Sequence, residues 1–295
     1  MFQGGSHLKK GKIIRLIGGL YTVIDEVGNR IDIRPIGLFR YQNISPKVGD
    51  DVMYDEDLIH EVLPRKNELL RPAIANVDYA IIINSAKKPD FSFYLLDQFL
   101  ALVERAGITP VVVLTKIDLM NEAELIQLKS KLDYYKSMYP VLYVDSKHHV
   151  GIEDLLELLK GKVSVLSGQT GAGKSSLMNS IDPLLNLKTD AISEALGRGK
   201  HTTRHVELIK VGAGWIADTP GFSKLEFPDM DILQLKDLYP DFVKLRDDCR
   251  FNGCVHVNEP NCAVKNAYQK GDILKERYEN YLLFHANIKA QKPKY

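Results

Sequence analysis

Cysteine is nearly absent from this sequence: three occur among 295 residues, all between positions 249 and 262. An odd count confined to one stretch makes a poor disulfide framework and points to a reducing compartment. Long hydrophobic runs are also missing. The longest apolar stretches, Tyr79–Ile83 and Val111–Leu114, fall far short of the roughly 20 residues that a membrane span needs. The first residues lack the apolar core of a signal peptide, and Phe2–His7 (FQGGSH) reads as a protease-site and cloning remnant. Net charge is almost nil. With 39 Lys and Arg against 38 Asp and Glu, only local patches could speak for a nucleic-acid partner. What is present is ordinary: 45% apolar and 26% charged residues exclude wholesale disorder. The length favours two domains, or three small ones.

Three textures follow one another. Residues 8–71 hold short β segments at Lys12–Ile17, Leu20–Asp25, Arg30–Ile33, Gly49–Tyr54 and Leu58–Leu63, punctuated by Gly18-Gly19, Gly28-Asn29 and Pro46. Several strands without a helical pattern predict a small barrel, most simply an OB-fold. Across residues 72–227 strands alternate with helices. Val77–Asn84 is a continuous apolar run suited to a buried parallel strand. Leu96, Phe99, Leu100 and Val103 recur at helical spacing until Gly107. Further strands are expected at Pro110–Leu114, Val141–Val144, Lys162–Leu166, Val206–Ile209 and Trp215–Ala217, with helices at Glu122–Tyr139 and Ile152–Leu159. This alternation predicts an α/β domain with a doubly wound sheet. After Gly221 the strands stop, and residues 228–295 should be mainly helical, ending in a long helix carrying Ile273, Tyr278, Tyr281, Leu282 and Phe284.

The strongest motif is Gly168-Gln169-Thr170-Gly171-Ala172-Gly173-Lys174-Ser175, a P-loop placed after an apolar strand and before the helix Ser176–Ile181. Its glycines let backbone N–H groups converge on a phosphate at a helix N-terminus. Lys174 would neutralise the β- and γ-phosphates, and the Ser175 hydroxyl would ligate Mg²⁺. Downstream, Asp218-Thr219-Pro220-Gly221 follows the strand Trp215–Ala217. A carboxylate there can hold Mg²⁺ through water, and the Gly221 N–H can reach the γ-phosphate. Thr115-Lys116-Ile117-Asp118 selects the base. Asp118 offers two acceptor oxygens to the guanine N1–H and N2–H₂, where adenine has no matching donor pair. The stem of Lys116 can lie over the purine ring, and Ser146-Lys147 is a candidate for the last base-contact loop.

The motif order is unusual. The base-reading loops precede the P-loop, whereas Ras-type enzymes have the P-loop first, so the chain looks circularly permuted. Such a rearrangement can leave the spatial site intact. Cys249, Cys254, His256 and Cys262 follow as Cys-x4-Cys-x-His-x5-Cys. Three thiolates and one imidazole are the donor set of a tetrahedral structural Zn²⁺ with no open position. His60, His148, His149 and His285 have no such company and read as surface or packing residues.

With the barrel before and the Cys/His cluster after, this order resembles the ribosome small-subunit-dependent GTPase A family. The resemblance runs over nearly the whole chain from Lys9. Its most specific marks are the permuted order, the run Gly197-Arg198-Gly199-Lys200-His201-Thr202-Thr203-Arg204 and the Cys₃His cluster. It implies a bacterial cytoplasmic GTPase that binds GTP/GDP with Mg²⁺, acts late in 30S maturation and is stimulated by the small subunit. Expected partners are the 30S subunit and 16S rRNA, met by a monomer. Basic groups available for RNA include Lys9, Lys10, Lys12, Arg15, Arg34 and Arg40, and at the C-terminus Lys289, Lys292 and Lys294. A competing reading is a P-loop small-molecule kinase with an accessory zinc module. It would need a lid, and no Arg-rich lid signal is visible.

The polar loop holding residues 197–204 reads as a switch whose Thr202 or, by preference, Thr203 completes the Mg²⁺ shell when the γ-phosphate is present. Phe222 stands where Ras-type enzymes carry a water-orienting Gln, and a phenyl ring cannot orient water. Intrinsic turnover should therefore be slow, with His201 supplying the water-positioning group once a partner orders the loop. Changing His201 to Ala should abolish the extra turnover that small subunits elicit while leaving nucleotide binding unaltered. Stimulated hydrolysis at near wild-type rate would remove His201 from this role.

Overall fold

The computed structural model describes residues 8–70, 72–185, 206–218 and 230–291. Strands β1 (Lys9–Ile17), β2 (Leu20–Asp25), β3 (Arg30–Pro35), β4 (Asp51–Tyr54) and β5 (Leu58–Val62) close a five-stranded barrel in the order β1-β2-β3-β5-β4-β1. This is the OB-fold that the turn-punctuated strands predict. Ile13, Val23, Ile33, Val52 and Ile59 fill its interior. A four-residue helix, α1 (Leu38–Tyr41), was not visible in the sequence pattern; it plugs one end of the barrel with Phe39, which is 4% exposed.

The nine residues of β1 serve two sheets. Lys9–Lys12 pair with β4, while Arg15 and Leu16 pair with Glu207 and Val206 beyond a bulge that falls between Ile13 and Arg15. The bulge turns the strand out of the barrel, and one continuous sheet runs on into the central domain. A small hairpin of β6 (Glu68–Leu70) and β7 (Ala73–Ala75), also missed in the sequence, lies between the two.

The central sheet contains β8 (Tyr79–Ser85), β9 (Thr109–Thr115), β10 (Val141–Tyr143), β11 (Val163–Gly168), β12 (Val206–Val211) and β13 (Gly214–Ala217) in the order β10-β9-β8-β11-β13-β12. The first five are mutually parallel, and β12 is antiparallel to β13. Helices α2 (Phe93–Arg105) and α3 (Glu122–Leu132) pack on one face through Leu96, Phe99, Leu100, Val103 and Leu128. Helices α4 (Ile152–Leu159) and α5 (Lys174–Ile181) cover the other through Leu155, Leu159, Leu177 and Met178. Burial on both faces explains why β8, β9 and β11 read as unbroken apolar runs.

One helix is shorter than its pattern. The helix expected over Glu122–Tyr139 ends at Leu132, and a single turn follows at Tyr135–Ser137. Tyr135 is 0% exposed, and its hydroxyl donates to Asp97 at 2.9 Å. The turn aims it there.

Among the described residues no strand follows Ala217. The C-terminal segment has α6 (Ile232–Leu235), α7 (Pro240–Val243), α8 (Ala263–Lys270) and α9 (Lys275–Ala290). They pack on the outer side of α2 around Tyr239, Phe242, Tyr281 and Phe284. At the centre of this contact lies Arg277, wholly buried. Its guanidinium donates to Asp97 of α2 at 2.7 Å and to Asp241 of α7 at 3.2 Å, and stacks 4.0 Å from the Tyr239 ring centroid. Asn280 donates to the second Asp97 oxygen at 2.7 Å. A satisfied buried pair of this kind adds little over apolar packing, but breaking it leaves a charge uncompensated. Replacing Asp97 with Ala should therefore destabilise the protein by about 3–5 kcal/mol, read as a lower midpoint in urea unfolding. An unchanged midpoint would mean that the network does not hold the C-terminal segment to α2.

Candidate functional site

The C-terminal ends of β10, β9, β8, β11 and β13 lie on one edge of the sheet, so the loops that follow them meet there, where open α/β sheets bind ligands. The P-loop leaves β11 at Gly168, which pairs with Ile83 of β8. Its φ is +130°, and a Cβ added there would sit 2.1 Å from the Ile83 carbonyl oxygen, so only glycine fits. Gln169, Thr170, Gly171 and Ala172 form the turn, with Ala172 buried and Thr170 exposed. Gly173, left-handed at φ +90°, caps α5. Lys174 begins that helix and curls back into the loop, its ammonium donating to the carbonyls of Gly168 at 2.8 Å and Gln169 at 2.7 Å. Burial pushes this ammonium down to about 8. Anionic phosphate oxygens in the loop would raise it again. Ser175 is 5% exposed in the first turn of α5, and Ser176 points outward.

The base loop is tied to the P-loop. The Thr115 hydroxyl, at the end of β9, lies 2.6 Å from the Ala172 carbonyl oxygen. Lys116 adopts φ +55°, and its ammonium donates to the Gly171 carbonyl at 2.7 Å and to the Lys88 carbonyl. Its side chain thus bridges the P-loop and the loop after β8. Asp118 stands exposed in the turn Ile117–Leu119, with no hydrogen-bond partner among the described residues. Next to the base loop, the side chain of Asp145 accepts from the N–H groups of Lys147 at 2.9 Å and His148 at 3.2 Å, and pairs with the His148 ring. This holds Ser146, half-buried, and Lys147, exposed, in a tight turn after β10. Lys88 was missed in the sequence. A backbone carbonyl has no residue-type signal, and only its position after a central strand could have found it.

Asp218 follows β13 and continues its pairing with β12. Its N–H donates to the Glu207 carbonyl at 2.9 Å, and its carboxylate accepts from the Glu207 N–H at 3.0 Å. The other switch candidates, His201, Thr202, Thr203, Gly221 and Phe222, lie outside the described residues.

Away from this edge, Cys249, Cys254, His256 and Cys262 converge, their ligand atoms all within 4.8 Å of one another. Cys249 Sγ lies 3.6 Å from His256 Nδ1 and 4.0 Å from Cys262 Sγ, and His256 Nδ1 lies 3.3 Å from Cys262 Sγ. With Zn–S near 2.3 Å and Zn–N near 2.0–2.1 Å, a tetrahedron has edges of about 3.5–3.8 Å. The donor set and spacing therefore fit a structural zinc ion. The three cysteines form no disulfide. Burial pushes the Cys254 thiol up to about 12, so a metal would have to displace its proton. Tyr278 and Tyr281 donate to the carbonyls of His256 and Val255, both at 2.7 Å, fastening the cluster to α9. Elsewhere His60 pairs with Asp55 at 2.7 Å and His285 is 9% exposed, both outside any site.

A P-loop joined through Thr115 and Lys116 to a base-reading loop encoded upstream of it defines a circularly permuted P-loop GTPase. Comparison with known proteins agrees. A family model described as RsgA GTPase matches residues 62–228, and one described as RsgA N-terminal domain matches residues 10–60. Small ribosomal subunit biogenesis GTPase RsgA of Geobacillus sp. (strain WCH70) is 46% identical over 294 residues, covering 98% of this chain and 100% of the relative. The same-named protein of Halalkalibacterium halodurans is 46% identical over 290 residues, covering 96% and 98%. Two solved structures match over nearly their whole length. YjeQ from Thermotoga maritima has a TM-score of 0.86 at 36% identity, covering 97% of this chain and 100% of that one. YloQ, described as a circularly permuted GTPase, has a TM-score of 0.85 at 38% identity and covers 100% of both chains. The chain belongs to the RsgA GTPase family, and it is a GTP hydrolase. Among the described residues no helix is long and apolar enough to cross a membrane.

Treatment with a strong chelator should release about one equivalent of zinc and melt the segment around Cys249–Cys262, because metal binding and folding share one free energy. Changing Cys254 to Ser should do the same. A chelated protein with undiminished hydrogen-exchange protection in this segment would exclude a structural metal.

Proposed function

We propose that this GTPase works on the small ribosomal subunit, as the names of its relatives say of them, in late maturation of the 30S particle. The contact of Lys116 with the Gly171 and Lys88 carbonyls carries the reading, because it joins base recognition to phosphate binding despite the permuted order. In this scheme Gly168–Ser176 cradles the phosphates and Lys174 neutralises their charge. Thr115, Lys116 and Asp118 hold guanine, with Ser146 and Lys147 closing the far side of the base. A bound Mg²⁺ would supply positive charge to offset the charge that develops on the phosphates. Ser175 and Thr203 would ligate it directly and Asp218 through water. Gly221 would report on the γ-phosphate, and His201 would position the attacking water. The Cys₃His cluster holds one structural zinc ion that stiffens the C-terminal domain, residues 228–295, against the GTPase domain, residues 72–227. The barrel, residues 8–71, and the zinc domain grip 16S rRNA, and the protein acts as a monomer. The kinase reading is set aside, since relatives matched over their full length are GTPases.

The deciding experiment compares GTP and ATP turnover with and without purified 30S subunits. Slow GTP turnover that rises strongly with 30S subunits, and none with ATP, is expected. Changing Asp118 to Asn should weaken GTP binding by about 2 kcal/mol or more, roughly 30-fold, because a guanine donor then faces a donor. Equal use of ATP, or no response to 30S subunits, would overturn the proposal.

A further inference from the structure

Three arginines of the barrel are unlike the other described ones. Arg15 donates to Thr22 and lies 3.7 Å from Asp32, Arg65 pairs with Asp50 and Glu68, and Arg246 pairs with Asp237. Arg250 lies over the Phe251 ring, Arg277 is buried in its network, and Arg105 has a partner too. Arg30, Arg34 and Arg40 are the exceptions among the described residues: all are exposed, and none has a carboxylate, hydroxyl or ring partner. They fall on one continuous stretch, β3 and α1. Arg30 and Arg34 lie on the same side of β3, roughly 13 Å apart at strand rise. The acid between them, Asp32, is turned toward β2, where it accepts from Thr22 and faces Arg15. Thr22 is itself 6% exposed, so this part of the barrel face is occupied by its own side chains.

The same stretch presents an aromatic ring. Tyr41 is 87% exposed and Leu38 52%, with Leu58 of β5 beside Arg34 in register at 36%. Phe39, buried in the barrel end, anchors α1, and the Ile44 N–H donates to the Phe39 carbonyl at 2.9 Å. The backbone that carries the display is therefore anchored to the barrel. Unpaired guanidiniums supply cationic forks for phosphates, and an exposed ring supplies a π-face for a base. Basic groups that are already neutralised do not: Lys12 of β1 is paired with Asp51 at 2.8 Å.

We infer that β3 and α1, through Arg30, Arg34, Arg40 and Tyr41, form the barrel's contact for single-stranded RNA, with phosphates on the arginines and one base stacked on Tyr41. This rests on the reading of the barrel as an rRNA-binding domain and names the surface that does it.

The full-length protein should be titrated with a fluorescent single-stranded RNA oligonucleotide across a salt series, and separately with purified 30S subunits. The double variant R34Q/R40Q should bind RNA more weakly, and its log K against log salt slope should shrink by about 1.4, some 0.7 per lost phosphate contact. Y41A should lose roughly 5- to 160-fold in affinity, whereas Y41F should keep it. An unchanged thermal midpoint and unchanged GTP turnover without RNA verify that the variants are folded. R34K/R40K, which keeps the charge, should keep the slope.

Unaltered RNA affinity and slope in R34Q/R40Q and Y41A would overturn the inference. So would intact RNA binding with lost 30S binding, which would make this surface a contact for protein. If the wild type ignores 30S subunits while the variants lose RNA affinity as expected, the inference stands and the proposed function falls.

Discussion

Two hydrogen bonds hold the nucleotide site together. The Thr115 hydroxyl reaches the Ala172 carbonyl and the Lys116 ammonium reaches that of Gly171, joining residues 57 and 55 positions apart in the chain. A bond of this kind exposed to water is worth little net, but that of Thr115 is buried. The two loops leave β9 and β11, the strands that flank β8 and are locked in register with it, Thr115 against Ser85 and Gly168 against Ile83. The parallel sheet sets the distance between the loops, and the two side chains turn that proximity into one site. Permutation of the connections changes which loop is encoded first, not which strands are neighbours.

The same economy appears on the opposite side of α2. That helix starts beyond the loop whose Lys88 carbonyl receives Lys116, and Asp97 on it receives Arg277 and Asn280 from α9. The C-terminal segment thus meets the GTPase domain through a helix leading directly from the nucleotide edge. Tyr278 and Tyr281, on the helix that carries Arg277, fasten the Cys/His cluster. Packing around α2 makes the zinc-type module and the GTPase sheet neighbours in one framework, independently of the chain that links them through Gly221 and Phe222.

Much of this was legible in the residues. The P-loop could be read because its chemistry is local: glycines, lysine and serine act within one turn. The Cys₃His cluster could be read because its ligands fall within one short stretch. Strands β8, β9 and β11 announced themselves as apolar runs because both faces are buried. The misses have a common cause. Helix α3 stops at Leu132, before its pattern does, because Tyr135 is drawn to Asp97, 38 positions away. Arg277 reads as an ordinary charge in a polar helix, yet it is the most deeply buried cation described, since both its acids come from other elements. Helix α1 and the hairpin of β6 and β7 were too short to show a period.

The sequence by itself determined the chemistry available: a P-loop, a carboxylate after a central strand, a soft donor cluster and the periods of strand and helix. Those follow from residue type and spacing along the chain, which act over a few positions. Only the tertiary structure decided which distant groups complete one another. It brought Lys116 to the P-loop, buried Arg277 between Asp97 and Asp241, and left Arg30, Arg34 and Arg40 without partners among the described residues. Whether a charge is neutralised depends on what the fold brings within a few ångströms of it, and that distance is not written in the order of residues.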